Sequence, residues 1–494
     1  VPHEYQKKGV KWLLEHPYAG LLLDLGLGKT AISLTAFLAL KKAGGATKAL
    51  VLAPRRPAQL VWSHSGEVGA WSQFQGLRVS LLHGDRKDEA LEVDADLYVL
   101  NYDGLAWFTK RDGFKKLLTR GVDILIIDEL SKLRNTRSQR FKLLKPWLAR
   151  FRRRWGLTGS PAPRSLIDLF GQVYVLDRGK RLGAFITHYR DRWFYPTGFG
   201  GYTYAPLPNA EKEITAALRD LTLAMRSKDH LDLPDLVERN VWVTLPTEAR
   251  RVYDELEEEL LTRLEGGVVT AKNAAVASGK CCQIASGGVY QHELQTPLFD
   301  GGSGFQIASG VRKTIQVHDE KTEALLDLVE DRQGSPLLVL YEYQHDLDRL
   351  RRALGDAVPV LGGGTSDEKA AYHISQWNAG AIPVLLGHPQ SMGHGLNMQG
   401  AGCGHVVFYT APWDRELYDQ VIGRVRRQGA KVDRLVVHRL LARDTVDEAK
   451  VKTLASKDRV QQSIFEALKS LCTTRKSRRT LAINQTEEDR NVKK

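Results

Sequence analysis

Gly26-Leu27-Gly28-Lys29-Thr30 interrupts an apolar run that begins at Ala19 (AGLLLDL). Two glycines one residue apart bring no side chains to pack, so the turn suits a group that approaches its backbone closely. Backbone N–H groups converging at a helix start make an anion cradle. Lys29 is then placed to reach the outer phosphates of a nucleotide, and the Thr30 hydroxyl to hold Mg²⁺. The full phosphate-loop pattern opens with a further glycine, and Leu23 stands there instead. A plain glycine turn with an exposed lysine is the alternative reading of these residues alone.

Downstream, VDILIIDELSK ends a buried-strand pattern in Asp128-Glu129. Asp128 suits the magnesium side of a phosphoryl-transfer site, and Glu129 suits positioning and deprotonating the attacking water. One acid at a strand end is often only a cap; the pair together with Lys29-Thr30 points to nucleotide hydrolysis. A third group lies in QVIGRVRRQG, where Gln420, Arg424 and Arg427 recur at i, i+4 and i+7 and are predicted on one helical face. Taken alone this is a solvated basic face. Beside the other two motifs it supplies guanidinium groups for a γ-phosphate.

These residues need strand ends to hold them. Short apolar runs alternate with helical segments twice, the signature of parallel α/β architecture. The first set includes GLLLDL, KALVLAP, LRVSLLHG, DLYVLNYD, VDILIIDE and RRRWGLTGS; the second is SPLLVLY, AVPVLGG, AIPVLLG, GHVVFYTA and DRLVVHRLL. Between them, residues 209–265 show 3.6-residue apolar spacing and are predicted helical. Residues 266–312 are rich in Gly, Ala and Ser and read as a loose connector. The expected division is 1–205, an ATP-binding lobe; 206–318, helical protrusions and linker; 319–472, a second lobe; and 473–494, a basic tail.

The chain has 494 residues, 43% hydrophobic and 26% charged, with a formal net charge of +13. That length exceeds one ordinary core, and the charge favours a polyanionic partner. No apolar run is long enough to span a bilayer, and VPHEYQKKGVKW lacks the profile of a secretory signal. The four cysteines have no CxxC spacing, so neither a zinc site nor a disulfide framework is expected. Cys281 and Cys282 read as small buried residues in a reducing cytoplasm.

These stretches, in this order, resemble the superfamily-two helicase-like ATPases and, more narrowly, the Swi/Snf family of DNA translocases, especially compact members of bacteria and phages. The resemblance rests on HEYQKKGVKWL, DLGLGKT, LVLAPRRPAQLVW, VLNYD, DELSKLRN, GLTGSP, LGGGTSDEKAAYHISQWN, SMGHGLNMQGAGCGHVVFYTAPWD and QVIGRVRRQG, and covers nearly the whole chain. It implies two RecA-like lobes using ATP and Mg²⁺. Gln6 would read adenine; Gly26 to Thr30, Gly395 and Gln420 would border the nucleotide; Arg424 and Arg427 would be arginine fingers. GLTGSP would couple the ATP site to DNA. The sequence departs from the family at Leu130-Ser131, where Gly-His or Ala-His is common, at Trp413-Asp414-Arg415, where the family has WNP, and at RRQGA, where it tends to have HRIGQ.

The same resemblance implies double-stranded DNA as partner, together with DNA-bound proteins to be displaced, and a monomer acting in the cytoplasm of a bacterial or phage-infected cell. Backbone contacts need short donors or cations rather than base-edge readers. Arg55, Arg56, Asn101, Tyr102, Thr365 and Ser366 fit, although Tyr102 equally suits a packed strand end. In ARFRRRWG, Arg150, Arg152, Arg153 and Arg154 form either a phosphate patch or a surface turn. Two rivals stay open: a strand-separating DNA or RNA helicase, for which no wedge is evident, and a DNA-stimulated ATPase acting as a sensor or annealing module.

Overall fold

The computed structural model describes residues 2–64, 66–159, 165–197, 203–265, 271–290, 314–332, 335–392 and 397–455. Gly395, the basic tail and residues 266–270 and 291–312 of the connector lie outside them. The chain forms two compact units that part between Leu233 and Pro234.

The first unit is built on β1 (Tyr18–Leu23), β2 (Lys48–Ala53), β3 (Val79–Leu82), β4 (Leu97–Asn101), β5 (Val122–Asp128) and β6 (Arg153–Thr158). An antiparallel pair follows, β7 (Phe194–Thr197) with β8 (Thr203–Pro206), and then β9 (Thr222–Met225). The main sheet runs β3-β4-β2-β5-β6-β1-β9, and its ladders are parallel. Its strands read as unbroken apolar runs because helices cover both faces. Alternate residues serve opposite cores: Leu125 and Ile127 pack on one side, Ile124 and Ile126 on the other. The chain leaves β1, crosses through the helix α2 (Lys29–Lys42) and re-enters at β2, two strands beyond β1's neighbour β6. Crossovers of this kind open a crevice at the carboxyl ends of the strands, where ligands bind in such sheets.

The second unit holds β10 (Asp235–Val243), an antiparallel pair of β11 (Gly288–Tyr290) and β12 (Thr314–Gln316), then β13 (Leu337–Leu340), β14 (Val360–Leu361), β15 (Val384–Gly387), β16 (His405–Phe408) and β17 (Arg434–Ala442). Its sheet is also parallel, in the order β10-β17-β16-β13-β15-β14.

Three sequence expectations change. Residues 206–318 are not a unit of their own, because β9 hydrogen-bonds to β1 in the first sheet and β10 to β17 in the second. Helical periodicity holds for Ala210–Leu218 and Thr247–Glu265, but Thr222–Met225 is a strand, drawn into the sheet by its open edge along β1. Within the expected loose connector, Ala271–Ser286 is a helix whose Cys281, Cys282, Ile284 and Ala285 are buried. Alanine favours helix, and that apolar end supplies the packing.

A buried polar cluster closes the second unit. Asp346 accepts hydrogen bonds from Ser286 Oγ (2.7 Å), Thr410 Oγ1 (2.9 Å) and Arg349 Nη2 (2.9 Å). Burial pushes its carboxyl up, yet the His345 and Arg349 contacts and the Ser286 hydroxyl outweigh burial and hold it down at about 2. A carboxylate depressed in this way contributes stability in full above its unfolded pKa, and loses it as pH falls through the folded value. Asp346→Asn is expected to lower the unfolding free energy by about 2 kcal/mol at neutral pH. The deficit should shrink below about pH 4, a trend that urea titrations at several pH values will check.

Candidate active site

β1 ends at Leu23 and α2 begins at Lys29, so residues 24–28 turn the chain at the head of the crevice. Gly26 and Gly28 have φ of 88° and 70°, where a side chain is strained. Space imposes a second constraint: a Cβ on Gly28 would lie 2.7 Å from Gln6 Nε2. Gln6 belongs to helix α1 (Glu4–Glu15), and its Oε1 accepts the His3 N–H at 2.9 Å. Gln6 therefore borders the glycine loop. Lys29 Nζ folds back to donate to the main-chain oxygens of Leu23 (2.6 Å) and Asp24 (3.2 Å), and Thr30 is buried in the first turn of α2. The Asp24 carboxylate ties the loop to Ser227, two residues beyond β9, accepting from Ser227 N at 2.9 Å and from Ser227 Oγ at 3.3 Å.

The acid pair lies at the end of β5, between β2 and β6. Asp128 Oδ2 accepts the Trp62 indole N–H at 2.9 Å. Loss of surrounding water pushes the Asp128 carboxyl up to about 6; the Trp62 hydrogen bond opposes that, the Glu129 charge adds to it and the Lys29 charge opposes it. Glu129 has φ 57° and ψ 62°, a left-handed conformation that costs a non-glycine residue about 1–3 kcal/mol and persists only where neighbours fix it. Here they do. Glu129 Oε1 accepts from Ser131 Oγ (2.8 Å) and Thr158 Oγ1 (3.1 Å), while the Tyr102 hydroxyl donates to the main-chain oxygens of Asp128 (2.8 Å) and Glu129 (3.3 Å). Gly159, just beyond β6, passes beside Lys29: a Cβ there would stand 3.6 Å from Nζ. The phosphate loop, the acid pair and the Thr158-Gly159 strand end are thus one cluster.

In the second unit, Gln420 and Arg424 lie on the helix Arg415–Val425. Gln420 is buried, with Nε2 3.4 Å from Glu416 Oε1. The predicted third member of that face does not lie on it. The helix stops at Val425, Arg426 turns to ψ 82°, and Arg427 sits in a turn closed by Ala430 N–H to its carbonyl (3.0 Å), with Gly429 at φ 83°. Asp414, in the departure at 413–415, caps this helix by accepting Glu416 N–H at 2.9 Å.

The candidate backbone contacts divide. Arg55 is exposed and Arg56 half-buried on the short helix Arg55–Leu60 after β2, and Ser366 is exposed, its Oγ accepting Lys369 N–H at 3.3 Å. Thr365 Oγ1 donates to Val360 O (3.0 Å) and accepts Gly362 N–H (3.1 Å), on the wall of a cavity of about 450 Å³ that also takes in Arg351, Lys369 and His373. Asn101 and Tyr102 are each only 6% exposed, so Tyr102 is a packed strand-end aromatic with its hydroxyl turned inward. Of the arginine patch, Arg150 and Arg152 are exposed, whereas Arg153 and Arg154 are structural. Buried Arg154 donates to the carbonyls of Leu148 (2.6 Å), Leu176 (2.9 Å) and Phe151 (3.3 Å), and Arg153 to those of Leu13 (3.2 Å) and Leu14 (3.1 Å). Sequence reasoning passed over Trp62, Ser131 and Thr158. Thr158 ends β6 and Trp62 follows the short helix after β2, both in quoted motifs, but nothing in their types marks them as partners of the acids.

A glycine phosphate loop and an acid pair at the strand ends of one parallel sheet, followed by a second parallel sheet carrying an arginine helix, define a nucleoside-triphosphatase of the helicase-like class. Residues 5–293 match the SNF2-related domain and residues 320–429 the helicase conserved C-terminal domain. The chain belongs to the SNF2-related (Swi/Snf) family, and its activity is that of a DNA-dependent ATPase. It is 33% identical to putative protein p41 of Acyrthosiphon pisum secondary endosymbiont phage 1, over 95% of this chain and 99% of that protein. It is 24% identical to the putative ATP-dependent helicase/translocase YwqA of Bacillus subtilis, covering 94% of this chain and 48% of the relative. The Sulfolobus solfataricus SWI2/SNF2 ATPase core in complex with dsDNA aligns at 22% identity and a TM-score of 0.41, covering 92% of this chain and 91% of that one.

Among the described residues, no helix is long and apolar enough to cross a membrane.

Two substitutions separate binding from chemistry at this site. Glu129→Gln is expected to bind ATP normally and hydrolyse it at least about 100-fold more slowly, because a preorganised electrostatic contact acts on the transition state. Lys29→Ala should lose both turnover and ATP affinity. Nucleotide binding and phosphate release, measured separately, check the distinction; a Glu129→Gln protein with wild-type turnover would remove Glu129 from the mechanism.

Proposed function

We propose that this protein is an ATP-driven motor on double-stranded DNA that travels along the duplex without separating its strands. The observation that carries the reading is the hydrogen bond from Thr158 to Glu129. It joins the last residue of β6 to the carboxylate that would align the attacking water, so a change at one is felt at the other.

In this reading Lys29 and the loop amides hold the β- and γ-phosphates, and Glu129 orients water for attack on the γ-phosphorus. Thr30 and Asp128 offer hard oxygen donors of the type magnesium takes. A cation beside Asp128 would favour its ionised form, which burial disfavours. When bound, Mg²⁺ neutralises charge on the phosphate oxygens. Arg424 and Arg427 contribute cationic stabilisation of the transferring phosphoryl group, and Gln6, Gly395 and Gln420 border the nucleotide. Arg55, Arg56, Thr365 and Ser366 contact the DNA backbone, with Arg351 and Lys369 adding positive charge beside Thr365. The reading takes the protein as a monomer that displaces DNA-bound proteins inside a bacterial or phage-infected cell; the phage relative supports that setting.

One observation favours strand separation as a second reading. The pair β7–β8, not apparent in the sequence, is an antiparallel pair of the kind from which a wedge is built, and its Tyr195 is 48% exposed.

Arg427→Ala should lower kcat far more than it weakens ATP binding, since a contact made in the transition state acts on the rate. Duplex binding should weaken steeply with salt and depend little on base sequence. ATP hydrolysis should displace the third strand of a triplex while a forked duplex with a loading strand stays paired. Efficient fork unwinding would favour the helicase reading, and DNA-stimulated hydrolysis with no displacement the sensor.

A further inference from the structure

Trp62 and Tyr102 leave the two strand-end segments that the sequence points toward DNA, yet both polar groups turn inward to the acid pair. Trp62 ends the segment that follows β2, directly after the short helix bearing Arg55 and Arg56; it is fully buried, and its indole N–H meets Asp128 Oδ2 at 2.9 Å. Tyr102 follows β4, and its hydroxyl bridges the main-chain oxygens of Asp128 and Glu129 at 2.8 and 3.3 Å. A hydroxyl between two carbonyls can only donate to them, and burial followed by the Asp128 and Glu129 charges keeps it protonated. The Arg140 guanidinium lies 5.7 Å from the centre of the same ring.

We propose that Tyr102 and Trp62 are positioning residues for ATP hydrolysis, clamping the Asp128–Glu129 turn by hydrogen bonds from the segments that follow β4 and β2. The inference rests on the ATPase reading of this site and deepens it. Glu129 occupies a left-handed conformation, so its carboxylate direction depends on what holds its backbone. Tyr102 holds that backbone, while Trp62 fixes one oxygen of the neighbouring carboxylate. A shift of either segment on DNA alters the aim of both acids without either residue touching DNA or nucleotide.

Tyr102→Phe and Trp62→Phe each remove one hydrogen-bond donor and keep an aromatic ring. In the full chain, steady-state ATPase is measured with and without saturating duplex, normalised to the fraction that binds a non-hydrolysable ATP analogue, so that unfolded protein does not register as a slow enzyme. Each variant is expected to lower kcat about tenfold, the scale of one hydrogen bond. The KM for ATP and the half-saturating duplex concentration should stay within about twofold, because neither ligand is touched. An unchanged kcat overturns the proposal. So does a raised half-saturating duplex concentration at normal kcat, which would make Tyr102 a DNA contact. If wild-type turnover is indifferent to duplex, the motor reading fails, and kcat without DNA decides the positioning claim by the same criteria. If Tyr102→Phe yields too little binding-competent protein, Trp62→Phe carries the test alone.

Discussion

A carboxylate that is to align water must be aimed, and Glu129, proposed here for that role, stands in a conformation it would not adopt unaided. Glu129 is left-handed, and its direction survives because donors from Ser131, Thr158 and Tyr102 surround its side chain and backbone. Much of the first unit is arranged to deliver those donors. Because β5 lies between β2 and β6, with β4 beyond β2, the segments leaving β2, β4 and β6 reach the same turn.

The same logic explains the departure from family pattern at Leu130-Ser131. Where a histidine is common, this chain places a small hydroxyl that donates to the Glu129 carboxylate, and Leu130 goes into the core. Asp414, in the departure at 413–415, becomes a helix cap. The second unit is stiffened by different means, with charges buried as partners: Lys321 and Asp447, each about 1% exposed, stand 2.6 Å apart. Buried pairs of that kind are costly to break from one side.

Strong local signals made most of the fold legible. The long apolar strands, the Gly26–Thr30 turn and the Asp128-Glu129 strand end announce themselves by composition and period, and all form as the sequence implies. The misses have physical causes. β9 is four residues long and follows a helix directly, so its pattern merges with that helix. β10 is an edge strand with mostly exposed polar residues, and nothing in DLVERNVWV alternates cleanly. Arg427 matched the helical period, but the chain turns at Arg426 before reaching it. Within the site, residue types that do chemistry could be found, whereas those that aim them could not. A tryptophan and a tyrosine in the segments that follow strands look the same whether they pack, bind DNA or hold an acid. Only the sheet order decides.

The central claim is that DNA acts on the aim of the acid pair, and hence on the chemical step. Single-turnover hydrolysis of prebound ATP isolates that step from nucleotide binding and product release. The account predicts that saturating duplex raises the single-turnover rate constant by at least about tenfold. A rate constant unchanged by duplex, with DNA accelerating only the release of ADP or phosphate, would contradict it.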